Sequence, residues 1–255
     1  MFRQRWMEKA PSTDGEGFRM RGTQVSRVEG ISDAVFGLAI TLIVVSLKPP
    51  ESFAELTDTL QGFIGSGFCS MILFQIWNRH YLYFRRYGLE DGITRLLNGI
   101  LLFVVIAYVY PLKFLFTLFF DSFRARPTPI VMHRGDQPHL FVIYGAGFAT
   151  VYSLFGLMYR HALGKRRELE LNELEALQTR WIIFEHFLMA GVGILQIIVA
   201  AFGPGNIAYF SWGAYFLIPV VLSIHGSKHA DAVKVLKREQ GVRASTPLVS
   251  RETEV

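Results

Sequence analysis

SRVEGISDAVFGLAITL, at positions 26–42, joins a charged cluster directly to the first long apolar run of the chain. The uninterrupted apolar part runs from Ala34 to Leu47. It is too short to cross about 30 Å of hydrocarbon, which takes about 20 helical residues. A full crossing counted back from Leu47 begins near Arg27. The helix therefore carries Arg27, Ser32 and Asp33 at or inside the membrane edge, where polar and ionisable groups are costly unless they are paired or hydrated. Such residues in a membrane segment indicate a functional helix.

The composition is that of an integral membrane protein. Hydrophobic residues make up 51% of the chain, charged residues only 18%, and the mean hydropathy is +0.30, which is too apolar for an ordinary soluble protein. The net charge of +5 comes from Lys and Arg clusters between apolar runs, a distribution that favours membrane topology over a nucleic-acid partner. Cys69 is the one cysteine in the sequence, so an intrachain disulfide and a cysteine-based zinc site are excluded.

Alternating apolar and basic segments predict a polytopic, all-α membrane protein. Six apolar segments are each about long enough to span: 27–47, 60–83, 94–119, 140–160, 180–201 and 207–225. Basic residues precede the first segment, follow the sixth, and fill the second and fourth connections, so the positive-inside rule places both termini in the cytoplasm. The predicted organisation is a cytoplasmic N-terminal segment (1–26), a six-helix transmembrane domain (27–225) and a cytoplasmic C-terminal tail (226–255).

The first helix has two distinct faces. At about 100° per residue, Leu38, Thr41 and Val45 share one stripe, while Ser32 and Asp33 project from roughly the opposite side. The stripe fits either the lining of a path or ordinary packing against helices or lipid. The polar residues fit either a structural hydrogen-bond network or direct contact with an ion.

The same residues resemble the signature first helix of the transmembrane protein 175 family, the lysosomal potassium channel and its bacterial relatives. That signature combines the spacing of Arg27, Ser32 and Asp33 with an aliphatic run containing Thr41; Ile31 stands where the family pattern has Phe. The downstream pattern is also similar. It comprises Trp77, His80 and Phe84 in the second segment, Asp91 in the next loop, Asn98 in the third segment and Pro111-Leu112 near its end. The later three segments match only in number and topology.

This resemblance implies a homotetramer of six-helix subunits in the plasma membrane of a bacterial cell, with a central pore formed by the first helices. It implies a potassium-preferring cation channel whose hydrophobic constriction replaces a carbonyl selectivity filter, and the chain indeed lacks a TVGYG segment. The implied constriction is Leu38, followed by Thr41 and Val45. Potassium would be the permeant ion, with no cofactor and no other metal. The expected structural polar network comprises Arg27, Ser32, Asp33, Trp77, His80 and Asn98.

Two other function classes remain open at this stage. A secondary transporter coupled to protons or cations could use Asp33, His80 and Asn98 at mid-depth, although the sequence shows no repeated halves. A membrane-embedded enzyme could use His80, His186 or His225, although no pair of these has metal-ligand spacing on a shared helix.

Other polar residues in the apolar segments are expected to be structural. Glu185 and His186, near the start of the fifth segment, are predicted to snorkel or to form a local pair. Lys113, beyond Pro111, is predicted to reach the outer membrane interface.

Overall fold

The structure is a computed structural model that describes residues 13–15, 17–45, 50–121, 133, 135–220, 222–223, 226–228 and 231–235. Helices account for nearly all of the described chain. In chain order they are α1 (Arg27–Val45), α2 (Phe53–Tyr87), α3 (Gly92–Asp121), α4 (Asp136–Gly164), α5 (Glu173–Phe202) and a 3₁₀ helix (Gly205–Phe216).

Four of the described helices are long and apolar enough to cross a membrane: Phe53–Tyr87, Gly92–Phe120, Asp136–Gly164 and Glu173–Phe202. They contain the second to fifth predicted segments. Their outward surfaces carry large apolar side chains, such as Leu60 at 57% and Phe103 at 72% exposure, which are stable against lipid but not against water. The protein is therefore an integral membrane protein.

The sixth predicted segment differs from the structure. In place of one continuous α-helix over 207–225, the chain forms the 3₁₀ helix, and α-helical residues follow at 217–220 and 222–223. Gly213, inside the 3₁₀ helix, contributes to the difference, because glycine is a poor former of α-helix. His225, the predicted end of the segment, lies outside the described residues.

The helices extend beyond the apolar segments because polar caps, and not the membrane edge, end them. The 35 residues of α2 span about 52 Å at 1.5 Å per residue. The Ser52 hydroxyl accepts from the Glu55 N–H at 3.2 Å and starts the helix. Gly88, at φ 60°, ends it by donating its N–H to the Phe84 carbonyl at 2.8 Å, in the left-handed conformation that glycine adopts without steric cost.

The helices pack as a continuous series. In the described part of the chain, α1 contacts only α2 and α3, α3 also contacts α4, and α4 and α5 form the most extensive pair. The core between them holds large side chains with almost no exposure, among them Phe36, Tyr83, Tyr87, Leu101 and Phe155. One side of α1 is thus covered by its own chain and the other side is not.

Two facing glycines allow α4 and α5 to approach closely. A Cβ added to Gly145 would lie 2.8 Å from the Gly193 carbonyl oxygen, and one added to Gly193 would lie 2.9 Å from the Gly145 oxygen. Backbone atoms cannot rotate away as a side chain can. The contact therefore requires glycine at both positions, as at other close helix crossings in membranes.

The N-terminal segment folds onto the end of the bundle that carries the basic connections. Phe18 is fully buried and contacts the edge of the Tyr87 ring at a centroid distance of 5.4 Å. The Arg21 and Arg86 guanidinium groups lie 5.6 and 5.0 Å from the Phe18 ring centroid. The Gly22 N–H donates to the Arg85 carbonyl at 3.0 Å, which ties the segment to the end of α2.

Ion pairs hold the same end of the bundle together. Glu175, whose side chain is fully buried, pairs with Arg21 at 2.7 Å and with Arg19 at 3.4 Å. Asp91, in the connection between α2 and α3, pairs with His161 of α4 at 2.6 Å. Partial burial acts to raise the pKa of Asp91, but hydrogen bonds from Thr94 and from His161 outweigh it and hold that pKa below its usual range.

Substitution of Gly193 by alanine should destabilise the protein. In G193A the new methyl group meets the Gly145 and Ala149 backbones, and such overpacking costs about 1–3 kcal/mol. Gly191 lies two residues away on the same helix, exposed and with open space around its Cα. G191A should instead stabilise by about 0.5–1 kcal/mol. Thermal unfolding of both variants in detergent measures the difference, and equal melting temperatures would contradict the close α4–α5 contact.

Candidate ion pathway

A capping box starts α1 at Arg27. The Ser26 hydroxyl accepts from the Glu29 N–H at 3.1 Å, and the Glu29 carboxylate accepts from the Ser26 N–H at 3.4 Å. Each side chain thus satisfies a backbone donor that the first helical turn leaves free. The S-x-x-E spacing of this box is visible in the sequence. The helix begins at Arg27, the residue predicted from the length needed to cross the membrane.

One face of α1 is buried along its whole described length. Ser32, Phe36, Ala39 and Ile43 have relative exposures of 0–1% and recur at intervals of four, three and four residues. This spacing keeps them on one side of a helix, where they contact α2 and α3. The first helix is therefore packed into its own subunit by a mixed polar and apolar face.

Three buried polar side chains on three helices form a continuous hydrogen-bond relay at this face. The Ser32 hydroxyl donates to the Val28 carbonyl at 2.7 Å, so it accepts from the Asn98 Nδ2 at 2.9 Å. The Asn98 Oδ1 consequently faces the His80 Nε2 at 2.8 Å and requires a proton on that nitrogen. Asn98 thus satisfies both partners at once, and Ser32 hydrogen-bonds to Asn98, not to Trp77 or His80.

Asp33 and Arg27 do not join this relay. The Asp33 carboxylate is exposed and accepts from the Trp77 indole Nε1 at 2.7 Å, so it forms a separate contact on the flank of α1. Adjacent residues lie 100° apart on a helix, which moves Asp33 away from the buried position of Ser32. Arg27 is exposed and makes no polar contact with the described residues. The structure therefore does not place it as a cap over the network.

Lys113 approaches the other end of α1. The sequence predicts that it reaches the outer interface. In the structure its Nζ donates to the Ile43 carbonyl at 2.8 Å. Ile43 lies in the last described turn of α1, so this hydrogen bond links α3 to that turn.

The opposite face of α1 is uncovered. Leu38 is 54% exposed, and Ala34 and Thr41 on the same stripe are also exposed. The Thr41 hydroxyl donates to the Leu38 carbonyl at 2.8 Å, so its oxygen lone pairs remain available on this face. Val45 is the last residue of α1, and its side chain lies outside what the structure describes.

The remaining candidate residues have structural partners. Glu185 forms an ion pair with Arg79 of α2 at 2.8 Å, and the His186 Nδ1 contacts the Ile182 carbonyl at 2.7 Å. No group of three or more His, Cys, Asp or Glu residues that could hold a metal occurs within the described ranges. His225 lies outside those ranges.

Comparison with known proteins finds similarity to potassium channels. Residues 27–108 match the family model described as the endosomal/lysosomal potassium channel TMEM175. A protein of Marivirga tractuosa named "Potassium channel" is 37% identical over 220 residues, which cover 82% of this chain and 89% of that protein. The crystal structure of a single-residue variant of the potassium channel MtTMEM175, in complex with a nanobody–MBP fusion, superposes with a TM-score of 0.77. It shares 34% sequence identity, and the match covers 86% of this chain and all of that one.

Loss of the central amide of the relay should destabilise the protein. Asn98→Leu leaves the His80 N–H without an acceptor and the Ser32 hydroxyl without a donor, at a cost of about 1–3 kcal/mol. Asn78→Leu, at an exposed position of α2, is the matched control and should have little effect. Melting temperatures in detergent provide the measurement, and an N98L protein as stable as the wild type would show that the relay contributes nothing.

Proposed function

The chain belongs to the TMEM175 family of potassium channels, and we propose that it is a potassium-preferring cation channel whose pore is lined by the uncovered face of α1. The observation that carries this proposal is the division of α1 into two faces. One face is buried and hydrogen-bonded within the subunit, whereas Ala34, Leu38 and Thr41 face outward. A helix fixed on one side by its own subunit can present its other side to further copies of itself.

The composition of the uncovered face favours contact between the α1 helices of several copies over contact with lipid. Gly30, Ala34 and Gly37 are exposed beside Leu38 and Thr41, and nothing lies within 4 Å of the positions that a Cβ would take on either glycine. Small residues allow helices to approach closely in a membrane. We infer a homo-oligomer, with four copies as the expected number, in which the first helices surround a common axis and the outer helices contact lipid.

In this assembly Leu38 would form a narrow apolar neck, which closes a pore by excluding water. Thr41 would offer hydroxyl oxygens beside the neck that replace part of the hydration shell of a potassium ion. The hydrogen bond from Thr41 to the Leu38 carbonyl supports this role, because the hydroxyl proton points back to the helix and the lone pairs do not. Val45 would continue the pore toward the outside. No cofactor is needed, and potassium is the transient ligand.

The proposed topology places the basic end of the bundle in the cytoplasm. The N-terminal segment, the end of α2 and the start of α5 meet at this end. Their arginines fit the cytoplasmic side. With α1 and the region after Gly205 as the first and sixth crossings, both termini are cytoplasmic, and the bacterial plasma membrane is the expected location.

A transporter is less favoured than a channel. Of the groups that could bind a coupling ion, His80 and Asn98 are buried and hydrogen-bonded to each other, and the Asp33 carboxylate accepts from the Trp77 indole. The relatives named above are potassium channels, and this also separates the chain from enzymes. Reconstitution of the purified protein in liposomes tests the proposal through parallel measurements of potassium, sodium and proton flux. Channel-like currents with potassium preference are expected, whereas strictly coupled exchange would contradict it.

Replacement of the neck residue should raise conductance. Leu38→Asn places an amide in the constriction and wets it, so the potassium current per channel should increase several-fold, by analogy with other dewetted gates. Leu157→Asn, on the outward surface of α4 at 40% exposure, is the matched control and should leave the current unchanged. Single-channel recording in planar bilayers makes the comparison. An unaltered L38N current would remove Leu38 from the ion pathway.

Loss of the Thr41 hydroxyl should reduce selectivity. Thr41→Val keeps the shape of the side chain but removes the oxygen, so the preference for potassium over sodium should fall, and the reversal potential under bi-ionic conditions should move toward zero. Thr150→Val is a close control, because Thr150 is exposed on α4 and donates to a carbonyl of its own helix in the same way. A T41V channel with the wild-type reversal potential would assign selectivity to other groups.

A further inference from the structure

A partly enclosed apolar cavity lies away from α1, at the end of the bundle opposite the N-terminal segment. It has a volume of about 620 Å³ and lies between the end of α3, the start of α4, the end of α5 and the 3₁₀ helix. Leu115, Phe116, Phe141 and Phe216 form much of its wall. The volume is in the range of cavities that hold small molecules, and none of the described residues that line it is charged.

One lining residue conflicts with this apolar character. The Gln196 side chain has 0% exposure, and neither its Nε2 nor its Oε1 has a hydrogen-bond partner among the described residues. A buried amide without partners costs about 1–3 kcal/mol. The leucine and phenylalanine side chains that form much of the wall offer no hydrogen-bond partner that could offset this cost. The unsatisfied amide therefore points to a ligand that supplies the missing partners.

The chemistry of Gln196 restricts the ligand. Its Nε2 requires an acceptor and its Oε1 requires a donor, and a single hydroxyl group can serve as both. A carboxylate provides only acceptors when ionised, and no basic residue within the described ranges lines the cavity to offset the burial of its charge. The rest of the ligand must be apolar to match the phenylalanine and leucine walls.

We propose that this cavity binds a neutral amphiphile with an apolar body and one hydroxyl headgroup, which hydrogen-bonds to the Gln196 amide. The site lies at a helix end within the membrane domain, where such a molecule can enter from the bilayer. A lipid acyl chain could also fill the apolar part but would leave Gln196 unpaired. The two kinds of occupant can therefore be distinguished by whether a hydroxyl group on the ligand strengthens binding.

Photolabelling of the full-length protein in nanodiscs separates these possibilities. The probes are dodecanol with a diazirine in mid-chain and the matched dodecane derivative without the hydroxyl. We expect saturable labelling by the alcohol, mapped by mass spectrometry to 115–119 and 140–144. The alcohol should also bind about 5-fold more tightly than the alkane, as one net hydrogen bond predicts. Equal affinity of the two probes, or unsaturable labelling over all lipid-facing helices, would overturn the proposal.

Substitution of Gln196 identifies the group that recognises the hydroxyl. Gln196→Leu should bring the ratio of the two affinities to about one while labelling of the cavity persists, because only hydrogen-bond recognition is lost. Gln137→Leu, at an exposed lining position, should keep the wild-type ratio.

If Q196L does not elute as a folded protein, the unbranched Gln196→Met replaces it. A ratio that is unchanged in the folded Gln196 variant contradicts the assignment. The result is independent of the channel proposal, because no ion flux is measured.

Discussion

The hydrogen bonds of Asn98 are the interaction on which the rest of the structure depends. A helix that carries a serine into the membrane must satisfy it within the protein, and a buried histidine on α2 has the same requirement. One asparagine on α3 meets both, with its amide nitrogen on Ser32 and its oxygen on His80. The relay joins three helices and sets which side of α1 faces its own subunit. Leu38 and Thr41 lie on the opposite side of α1 and are therefore exposed.

Much of this arrangement could be predicted from the sequence, because membrane burial makes polar residues conspicuous. The start of α1 at Arg27 follows from the length needed to cross the bilayer, and the S-x-x-E spacing gives a second, local signal. The faces of α1 follow from helical periodicity. Ser32, His80 and Asn98 could be named as a network because each is costly in an apolar segment. The second to fifth apolar segments correspond to helices that the structure contains.

The features that could not be predicted depend on distances between helices. Periodicity assigns Ser32 and Asp33 to the same side, but only the position of α2 separates the relay from the Asp33–Trp77 contact. The side chain of Lys113 is long enough to reach several acceptors, and only the structure shows that its ammonium group donates to the Ile43 carbonyl. Phe18 lies in a short polar segment without periodicity, so its burial against the end of α2 leaves no pattern in the sequence. The 3₁₀ helix cannot be told from an α-helix by hydropathy, because both accept an apolar run.

The contacts of α1 also constrain how a pore built from it could open. The relay fixes the first half of the helix to α2 and α3 through Ser32, and Lys113 fixes its other end to α3. Rotation of α1 alone would break both sets of hydrogen bonds inside the membrane, where water cannot replace them and each unsatisfied group costs several kcal/mol, about 2–7 by transfer measurements. Movement of α1, α2 and α3 as one body keeps every one of these bonds. A change in the width of the proposed Leu38 neck would therefore be less costly when the three helices move together. The flexible contacts would then lie between this group and the α4–α5 pair, or between subunits.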